Sequence, residues 1–244
     1  QARIKNSAEL SRVALRTKKM ELNVIRNVDS AIVHSDVEMK TLSQEIPVTN
    51  VKLLNWIYPV KGCRRAFERR SDVFFLGGFQ HPPNEDAVIY FVKAILPIIK
   101  EKLPEVKFYI IGSHPTSRIH ELEAKDIIIT GFIENLDSLL SRMKVAVSPL
   151  RYGAGIKGKV AVSMSYGIPC VITSTSAEGF DVVPGKHLIV ADDEESFANS
   201  VVSVYRDPML WNSISLNAMD WVRDNLSFEA GQRKIQSILN ELGV

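Results

Sequence analysis

The chain has 244 residues, of which 45% are apolar, 24% charged and 8% aromatic. This composition is that of an ordinary globular protein and excludes the collagen-like, disordered and disulfide-scaffold classes. Thirty basic residues against 28 acidic ones give a net charge of only +2. No nucleic-acid partner is expected, because binding to the phosphate backbone of a nucleic acid needs a strong excess of basic residues.

The cysteines and the apolar runs bear on the compartment of the protein. Cys63 and Cys170 lie far apart and lack metal-ligand spacing, which favours a reducing, cytoplasmic location. No apolar run approaches the roughly 18 to 20 residues that a membrane-spanning helix requires. The chain begins with Gln1 rather than Met, so we expect it to be an excised segment with functional residues upstream.

Residues 1–28 predict a basic amphipathic helix. Seven Lys or Arg stand against Glu9 and Glu21 in this segment. The apolar residues at helical spacing are Leu10, Val13, Leu15, Leu22 and Ile25. Such a helix either lies on an anionic membrane surface or carries its charges as a solvated face, and the sequence leaves both readings open.

A short α/β segment follows. Ala31–Val33 and Val51–Leu54 are apolar runs typical of strands. Ser35 and Glu38 between them have capping-box spacing and predict the start of a helix. Residues 61–70 are rich in Lys and Arg and are interpreted as a basic linker.

From Asp72 onward, strands and helices alternate regularly. The predicted strands are Val73–Leu76, Val106–Ile111, Ile127–Thr130, Val145–Ser148, Cys170–Thr173 and a weaker one at His187–Val190. The predicted helices are Asn84–Lys102, Arg118–Leu122, Leu136–Arg142, Lys157–Tyr166 and three more after residue 190. Runs such as Phe108–Ile111 and Ile127–Ile129 have no polar face and are therefore expected to be buried on both sides. The sequence thus predicts an α/β fold with a doubly wound parallel sheet.

The loop after the fourth of these strands is the strongest candidate for a ligand site. Gly153, Gly155 and Gly158 would let the backbone approach a ligand at the start of a helix, where amides are unpaired. The cations added by this loop are Arg151, Lys157 and Lys159. Together they predict a phosphate or pyrophosphate site, and the alternative is a tight turn with solvated cations.

Other chemistries have weaker signals. Gly153 to Gly158 formally matches the dinucleotide pattern G-x-G-x-x-G, but this pattern belongs in the first strand-to-helix turn of a domain and here follows the fourth strand. The five histidines lack metal-ligand spacing, so no metal site is expected. Trp211 and Trp221 are interpreted as packing residues rather than as a stacking platform.

Three motifs in order resemble the donor-binding half of the retaining GT-B glycosyltransferases of family 4. They span residues 148–160, 164–173 and 177–179, and the resemblance as a whole covers about residues 71–228. It implies a Rossmann-like donor-binding domain at 71–244, a basic linker at 61–70 and, at 1–60, the remnant of a preceding acceptor domain. The helix Phe228–Leu242 would cross back towards that remnant.

The resemblance also implies roles for particular residues. The first Gly-Gly loop would approach the donor diphosphate, the cationic loop would neutralise its charge, and the loop at 131–133 would contact the base. The implied donor-binding residues are Gly77, Gly78, Gly131, Phe132, Ile133, Arg151, Gly155, Lys157, Lys159, Glu178 and Gly179. No cofactor or metal is implied, since fixed cations and helix amides can stabilise a leaving nucleoside diphosphate. No catalytic residue is identified.

The sequence departs from the family pattern at the donor site. Two glutamates that the family uses for the sugar and the ribose fall at Ala154 and Val162, which cannot accept a side-chain hydrogen bond. Glu178 or Asp181 is a candidate replacement for one of them.

The resulting expectation is a glycosyltransferase that moves a sugar from a nucleotide diphosphate sugar to an unknown acceptor. The residues present here would bind the donor without turnover by themselves, with a membrane-surface contact through the basic helix. The alternative is a non-catalytic nucleotide-binding or protein-interaction module that kept the fold.

Overall fold

The computed structural model describes residues 8–62, 65–153 and 155–243. Its strands are β1 Ala31–Val33, β2 Val51–Leu53, β3 Ser71–Leu76, β4 Phe108–Ile111, β5 Ile127–Gly131, β6 Met143–Ser148, β7 Cys170–Ile172 and β8 Ile189–Val190. Its α-helices are α1 Ala8–Arg26, α2 Asp36–Ser43, α3 Pro82–Tyr90, α4 Leu96–Lys102, α5 Ser117–His120, α6 Asp137–Leu140, α7 Gly158–Ser165, α8 Ser174–Ala177, α9 Glu194–Arg206, α10 Pro208–Leu226 and α11 Phe228–Leu242. A π-helical segment, Phe91–Ile95, joins α3 to α4.

A parallel sheet of six strands forms the centre of the larger unit. Its order is β5-β4-β3-β6-β7-β8, and every pair is parallel. The chain therefore builds one half of the sheet outward from β3 and then returns to build the other half from β6. This is the doubly wound, Rossmann-like arrangement that the alternation of elements predicts.

Burial on both faces of the sheet explains the sequence of its central strands. Phe74 and Phe75 are neighbours in β3 and point to opposite faces, yet both are 0% exposed. Phe75 belongs to one apolar core and Phe74 to another on the opposite face. The expectation of burial on both sides is only partly met in β5, where Ile128 and Ile129 stay partly exposed because this strand lies at the edge of the sheet.

The later helices cover the sheet and begin at polar caps. Asp193 accepts a hydrogen bond from the Ser196 amide at 2.8 Å, so the acidic run before α9 acts as a helix cap. Trp211 of α10 is 1% exposed, and its indole N–H donates to the Lys144 carbonyl at 2.8 Å. Its predicted role as a packing residue is confirmed.

A smaller unit precedes the six-stranded sheet. Strands β1 and β2 form a separate parallel pair, with Ala31 opposite Val51. Ser35 and Glu38 make the predicted capping box at the start of α2. Helix α1 has no buried residue. No helix among the described residues is both long and apolar enough to cross a bilayer.

The two units touch through the linker and the last helix. Lys52 Nζ of β2 lies 2.6 Å from a carboxylate oxygen of Glu241 in α11. The Tyr58 amide donates to the Leu226 carbonyl at 2.7 Å, and the Lys61 amide donates to the Ser165 carbonyl at 3.0 Å. The final helix therefore returns to the N-terminal unit. Arg70, at the end of the basic stretch, is 3% exposed; Cys63 of this stretch lies outside the described residues.

Candidate functional site

The site lies where the winding of the sheet reverses. Strands β3 and β6 are neighbours in the sheet, but the chain leaves them in opposite directions. Their carboxyl ends therefore open a crevice, which is where doubly wound sheets bind ligands. The Gly77–Gly78 loop follows β3, and the loop that leads to α7 follows β6. The topology thus brings together the two loops that the sequence singled out as phosphate loops.

Close packing against the first loop requires glycine at position 112, in the loop after β4. A methyl group at Gly112 would lie 1.9 Å from the Gly77 carbonyl oxygen, so the loops after β3 and β4 touch backbone to backbone. A methyl group at Gly77 would lie 2.8 Å from Asn84 Nδ2 and 3.0 Å from Lys159 Nζ. The same Asn84 amide group donates to the Gly78 carbonyl at 2.7 Å and fixes the loop.

Lys159 carries the cation closest to this loop. Its Nζ donates to Asn84 Oδ1 and lies 4.2 Å from the centre of the Phe75 ring. Burial, with a smaller contribution from the charge of Lys157, lowers the pKa of Lys159 from 10.5 to about 7. No carboxylate among the described residues forms an ion pair with it. An anion in the crevice would therefore meet an ammonium whose charge is not yet compensated.

Lys157 lies beside Lys159 and is only 6% exposed. Its Nζ donates to the Gly155 carbonyl at 2.6 Å and pairs with Glu178 at 3.2 Å. Burial and then the two lysines, Lys159 before Lys157, lower the pKa of His81 across the crevice, so the cationic field reaches the loop after β3. Lys157 also stands at the start of α7, which no side chain caps. Two of the three predicted cations thus converge at one end of this helix.

Arg151 is the exception among the predicted cations. Its guanidinium pairs with Asp86 through two hydrogen bonds of 2.9 and 2.5 Å and lies 4.8 Å from the centre of the Tyr90 ring. Asp86 raises the pKa of Arg151 further by accepting these bonds. The Arg151 side chain therefore fastens the loop to α3 rather than standing beside the two lysines.

The loop after β5 lies at the same edge of the sheet. Gly131 has a φ of 67°, a left-handed conformation that favours glycine, and its carbonyl accepts a hydrogen bond from the Gly112 amide at 3.0 Å. Phe132 is 75% exposed, whereas Ile133 packs against the apolar core. Of these three predicted base contacts, Phe132 offers an open aromatic face.

The loop after β7 joins the site through Glu178 and Gly179. Gly179 has a φ of 87°, and a methyl group there would lie 3.1 Å from Ile156 Cγ1 and 3.5 Å from Ser35 Cβ. The N-terminal unit therefore meets the loop at Gly179. The carboxylate of Glu178 forms an ion pair with Lys157. Glu178 would therefore have to share or give up this ion pair to replace a missing glutamate.

Position 162, where the family pattern has a glutamate, holds a side chain that packs against the apolar core. Ala154, the other such position, lies outside the described residues. No group of three or more His, Cys, Asp or Glu residues in the described part of the chain is placed to hold a metal ion.

Sequence reasoning did not single out three residues that the fold brings to the site. Asn84 holds both the Gly78 loop and Lys159, and its place in the Pro-Pro-Asn start of α3 was the available signal. Asp86, the partner of Arg151, lies 65 residues away from it, and Tyr58 lies between β2 and the basic linker. A methyl group at Gly158 would lie 2.7 Å from the Tyr58 hydroxyl oxygen. No local pattern predicts the last two contacts.

Comparison with known proteins shows which family the chain resembles. A protein-family model described as "Glycosyl transferases group 1" matches residues 70–207. An uncharacterized 44.6 kDa protein from the cps region of Klebsiella pneumoniae is 24% identical over 163 residues, which are 63% of this chain and 42% of that protein. The chain therefore spans less than half the length of this curated relative.

Solved structures with similar folds are glycosyltransferases. TarM of S. aureus, in complex with fondaparinux, alpha-GlcNAc-glycerol and UDP, has a TM-score of 0.78 at 16% identity, covering 92% of this chain and 46% of TarM. HepE of Anabaena, in complex with UDP and glucose, has a TM-score of 0.76 at 12% identity, covering 91% of this chain and 66% of HepE. The pneumococcal O-GlcNAc transferase GtfA, in complex with UDP and GlcNAc, has a TM-score of 0.72 at 15% identity, covering 91% of this chain and 47% of GtfA.

At these identities the structural likeness shows the fold, which is the Rossmann-like sheet of GT-B glycosyltransferases. The family match adds the sequence evidence and covers more than half of the chain. This protein therefore belongs to the group 1 glycosyl transferases.

Proposed function

We propose that this chain supplies the donor-binding half of an enzyme that transfers a sugar from a nucleotide diphosphate sugar to an acceptor. The observation that carries the proposal is the position of Lys159: its ammonium lies against the Gly77 backbone, beside buried Lys157, at the reversal point of the sheet. Two cations at an uncapped helix start, of which Lys159 has no ion-pair partner among the described residues, favour a diphosphate. They would also stabilise the charge that develops as the nucleoside diphosphate leaves.

The other residues take their roles from this placement. The Gly77 and Gly78 loop would let the diphosphate approach the backbone, with Gly155 and Lys157 on the facing side. Phe132, between Gly131 and Ile133, would stack on the base. Arg151 would act by holding the loop to Asp86, and Glu178 with Gly179 would border the sugar.

Calorimetric titration with UDP, GDP and ADP tests the donor site. We expect at least one nucleotide to bind with micromolar affinity, and Lys159→Ala to weaken that binding by about tenfold or more, as for loss of a charged hydrogen bond. Arg151→Ala should have a smaller effect because its side chain is engaged by Asp86.

Lys93→Ala, which removes an exposed lysine from the π-helical segment, is the matched control. Absence of binding by all three nucleotides would contradict the proposal. That result would favour the alternative of a non-catalytic module, to which the core-packed Val162 also points.

The domain boundaries and the reaction course are part of the same proposal. Residues 1–60 would be the last part of an acceptor domain, 61–70 the linker and 71–244 the donor domain, which agrees with the separate β1–β2 sheet.

Family 4 membership and retention of the anomeric configuration rest on the motif resemblance. Proton NMR of the product from a preparation that shows turnover would test retention. We expect no transfer by the 244-residue chain itself, because only a two-stranded unit faces the crevice.

We further propose that α1 contacts an anionic membrane surface on the cytoplasmic side. Its exposed apolar residues include Val13, Met20 and Val24, at 56%, 61% and 58% exposure. The helix carries five cationic and two acidic residues. Flotation with phosphatidylglycerol vesicles tests this: we expect binding that is lost in the double variant Met20→Ser, Val24→Ser and kept in Thr17→Ser. Equal binding to neutral phosphatidylcholine vesicles, or none, would contradict it.

A further inference from the structure

The side chain of Lys159 has apolar surroundings. It lines a small cavity of about 10 Å³ together with residues of the central strands, among them Phe74 of β3 and Ile172 of β7. Its Nζ atom lies 4.2 Å from the centre of the Phe75 ring and donates to Asn84 Oδ1, which is a neutral acceptor. The amine is therefore held among groups that do little to stabilise a positive charge.

The charges around this amine also disfavour its protonated form. No carboxylate among the described residues forms an ion pair with Lys159. Lys157 of the same loop adds a second positive charge, and His81, in the loop after β3, interacts electrostatically with both lysines. Burial and this neighbouring cation together lower the pKa of Lys159 from 10.5 to about 7.

A neutral amine is a nucleophile, whereas an ammonium ion is not. At pH 7, a lysine with a pKa of 10.5 is neutral in about one molecule in 3,000, whereas Lys159 is neutral in about half of the molecules. Its side chain is only partly buried, so small reagents in the crevice can reach it. Lys157 differs, because it is 6% exposed and its ammonium pairs with Glu178. Lys159 is thus the reactive one of the two crevice lysines.

The crevice also favours one class of reagent. The proposed diphosphate site would attract phosphate groups through the cation of Lys157 and the backbone of the Gly77–Gly78 loop. An acyl phosphate carries such a group on an activated acyl carbon. With its phosphate in this site, its acyl carbon would come within reach of the Lys159 amine, since that amine lies against the same loop.

We propose that Lys159 is a modification site, acylated by acyl phosphates without the help of another enzyme, and that its acylation abolishes donor binding. The inference rests on the proposed function for the recruitment of the phosphate and for the consequence of the modification. The reactivity of the amine is a claim of its own.

The step is a transfer of the acyl group from oxygen to nitrogen. The Nζ lone pair attacks the acyl carbon and forms an N–C bond. The bond from that carbon to the phosphate oxygen breaks, and inorganic phosphate leaves with its electron pair. The nitrogen then gives up one proton to water or to the leaving phosphate. The product is a neutral amide, which has no positive charge to offer a diphosphate.

Acetyl phosphate and the full chain test this proposal, with mass spectrometry to measure the rate of acetylation at each lysine at pH 7.5. Lys93, an exposed lysine of the π-helical segment, is the reference within the same molecule. We expect Lys159 to react about tenfold faster than Lys93 or more, because the larger neutral fraction outweighs the lower nucleophilicity that accompanies a lower pKa. Lys157 should react no faster than Lys93. Equal rates at Lys159 and Lys93 would overturn the proposal.

Two further reagents test the recruitment by phosphate. Inorganic pyrophosphate should slow the acetylation of Lys159 and leave that of Lys93 unchanged. The N-hydroxysuccinimide ester of acetic acid, which carries no phosphate, should favour Lys159 over Lys93 by a smaller factor than acetyl phosphate does. Absence of protection by pyrophosphate, or an equal preference with the neutral ester, would overturn the proposal.

The consequence for binding is measured by calorimetry. We expect UDP affinity to fall by about tenfold or more in acetylated chains, as for loss of a charged hydrogen bond, and the affected fraction to match the fraction acetylated at Lys159. Lys159→Arg keeps a cation but has no nucleophilic amine, so treatment with acetyl phosphate should leave its UDP affinity as it was before treatment. An equal loss on treatment of Lys159→Arg would assign the effect to another lysine and overturn the proposal.

The outcomes separate this inference from the proposed function. UDP binding by a chain in which Lys159 reacts no faster than Lys93 would overturn the acylation and leave the proposed function standing. Fast, pyrophosphate-protected acetylation of Lys159 in a chain that binds none of the nucleotides would support the modification site and contradict the donor site.

Discussion

Lys159 combines a cost in stability with the role in binding that we propose for it. Because burial lowers its pKa from 10.5 to about 7, the unfolded chain binds a proton between these values that the folded chain does not. The free energy of unfolding contributed by this group therefore rises with pH from about 7 to 10.5 and is lowest below pH 7. Lys159→Met should raise the melting temperature at neutral pH while nucleotide binding is lost.

The same lysine makes donor binding dependent on pH. A bound diphosphate favours the ammonium form and raises the pKa of Lys159, so binding takes up a proton above about pH 7. We expect UDP affinity to fall as the pH rises above that value, by at most about tenfold per pH unit. Calorimetry in buffers of different ionisation enthalpy measures the proton uptake, and Lys159→Met should remove it. A flat profile in the unaltered chain would show that Lys159 does not meet the diphosphate.

The side chains of Lys159 and Asn84 pack against the backbone at Gly77. The methyl group of Gly77→Ala would displace side-chain ends rather than backbone, since it lies 2.8 Å from Asn84 Nδ2 and 3.0 Å from Lys159 Nζ. We therefore expect little loss of stability but roughly tenfold weaker UDP binding, as for a displaced charged hydrogen bond. Lys93→Ala, at an exposed residue of the π-helical segment, is the control. Equal affinities in the two variants would contradict this role of Gly77.

Single residues were predictable where the reason for them is local. Glycines and lysines clustered at a strand-to-helix turn predict an anion site, and Lys157 and Lys159 do lie together there. The engagement of Arg151 was not predictable, because its partner Asp86 is 65 residues away and meets it only in the folded sheet. The hydrogen bond from the Trp221 indole N–H to the Asp181 carbonyl was likewise not predictable, because 40 residues separate the two.

At the scale of elements, short apolar runs located every strand of the sheet, but not their exact ends. The predicted strand 145–148 begins two residues earlier, at Met143, and Ile127–Ile129 is less buried than expected because β5 is an edge strand. The predicted helix 84–102 begins at Pro82 and contains a π-helical segment at Phe91–Ile95. Proline needs no amide partner in the first turn, and no sequence signal marks the π-helical register.

The capping box of α2 gives an element-scale prediction. Ser35 Oγ accepts from the Glu38 amide at 3.2 Å, and the Glu38 carboxylate accepts from the Ser35 amide at 3.2 Å. Ser35→Ala should destabilise α2 by about 1 kcal/mol, the usual loss for an N-cap. Hydrogen exchange of residues 36–43 should then be about fivefold faster. Ser43→Ala, at the other end of α2, serves as the control, and unchanged exchange in Ser35→Ala would contradict the cap.

At the scale of the whole molecule, alternation predicted the layers but not the strand order. Local pattern cannot tell which side of β3 receives β6, yet that choice creates the crevice between the loop after β3 and the loop that leads to α7. The family resemblance implied that α11 returns to the N-terminal unit. The ion pair between Lys52 and Glu241 agrees with that expectation. A cavity of about 200 Å³ lies where residues 55–58 meet the end of α10, and no pattern in the sequence indicated it.

Cys170 reports on the opening of the whole domain built on the six-stranded sheet. It is 1% exposed in the core beneath α7, and burial raises the pKa of its thiol to about 12. The thiolate, which is the reactive form, is therefore scarce at neutral pH, and reagents cannot reach it. In Cys63→Ser, we expect Ellman's reagent to label Cys170 only when the domain unfolds, so the labelling rate should rise with urea in step with the loss of circular dichroism. A saturating nucleotide that binds the folded crevice should slow this labelling further, whereas the same nucleotide should leave the rate unchanged in Lys159→Ala. Fast labelling of the folded Cys63→Ser chain in buffer would contradict a closed core around the site.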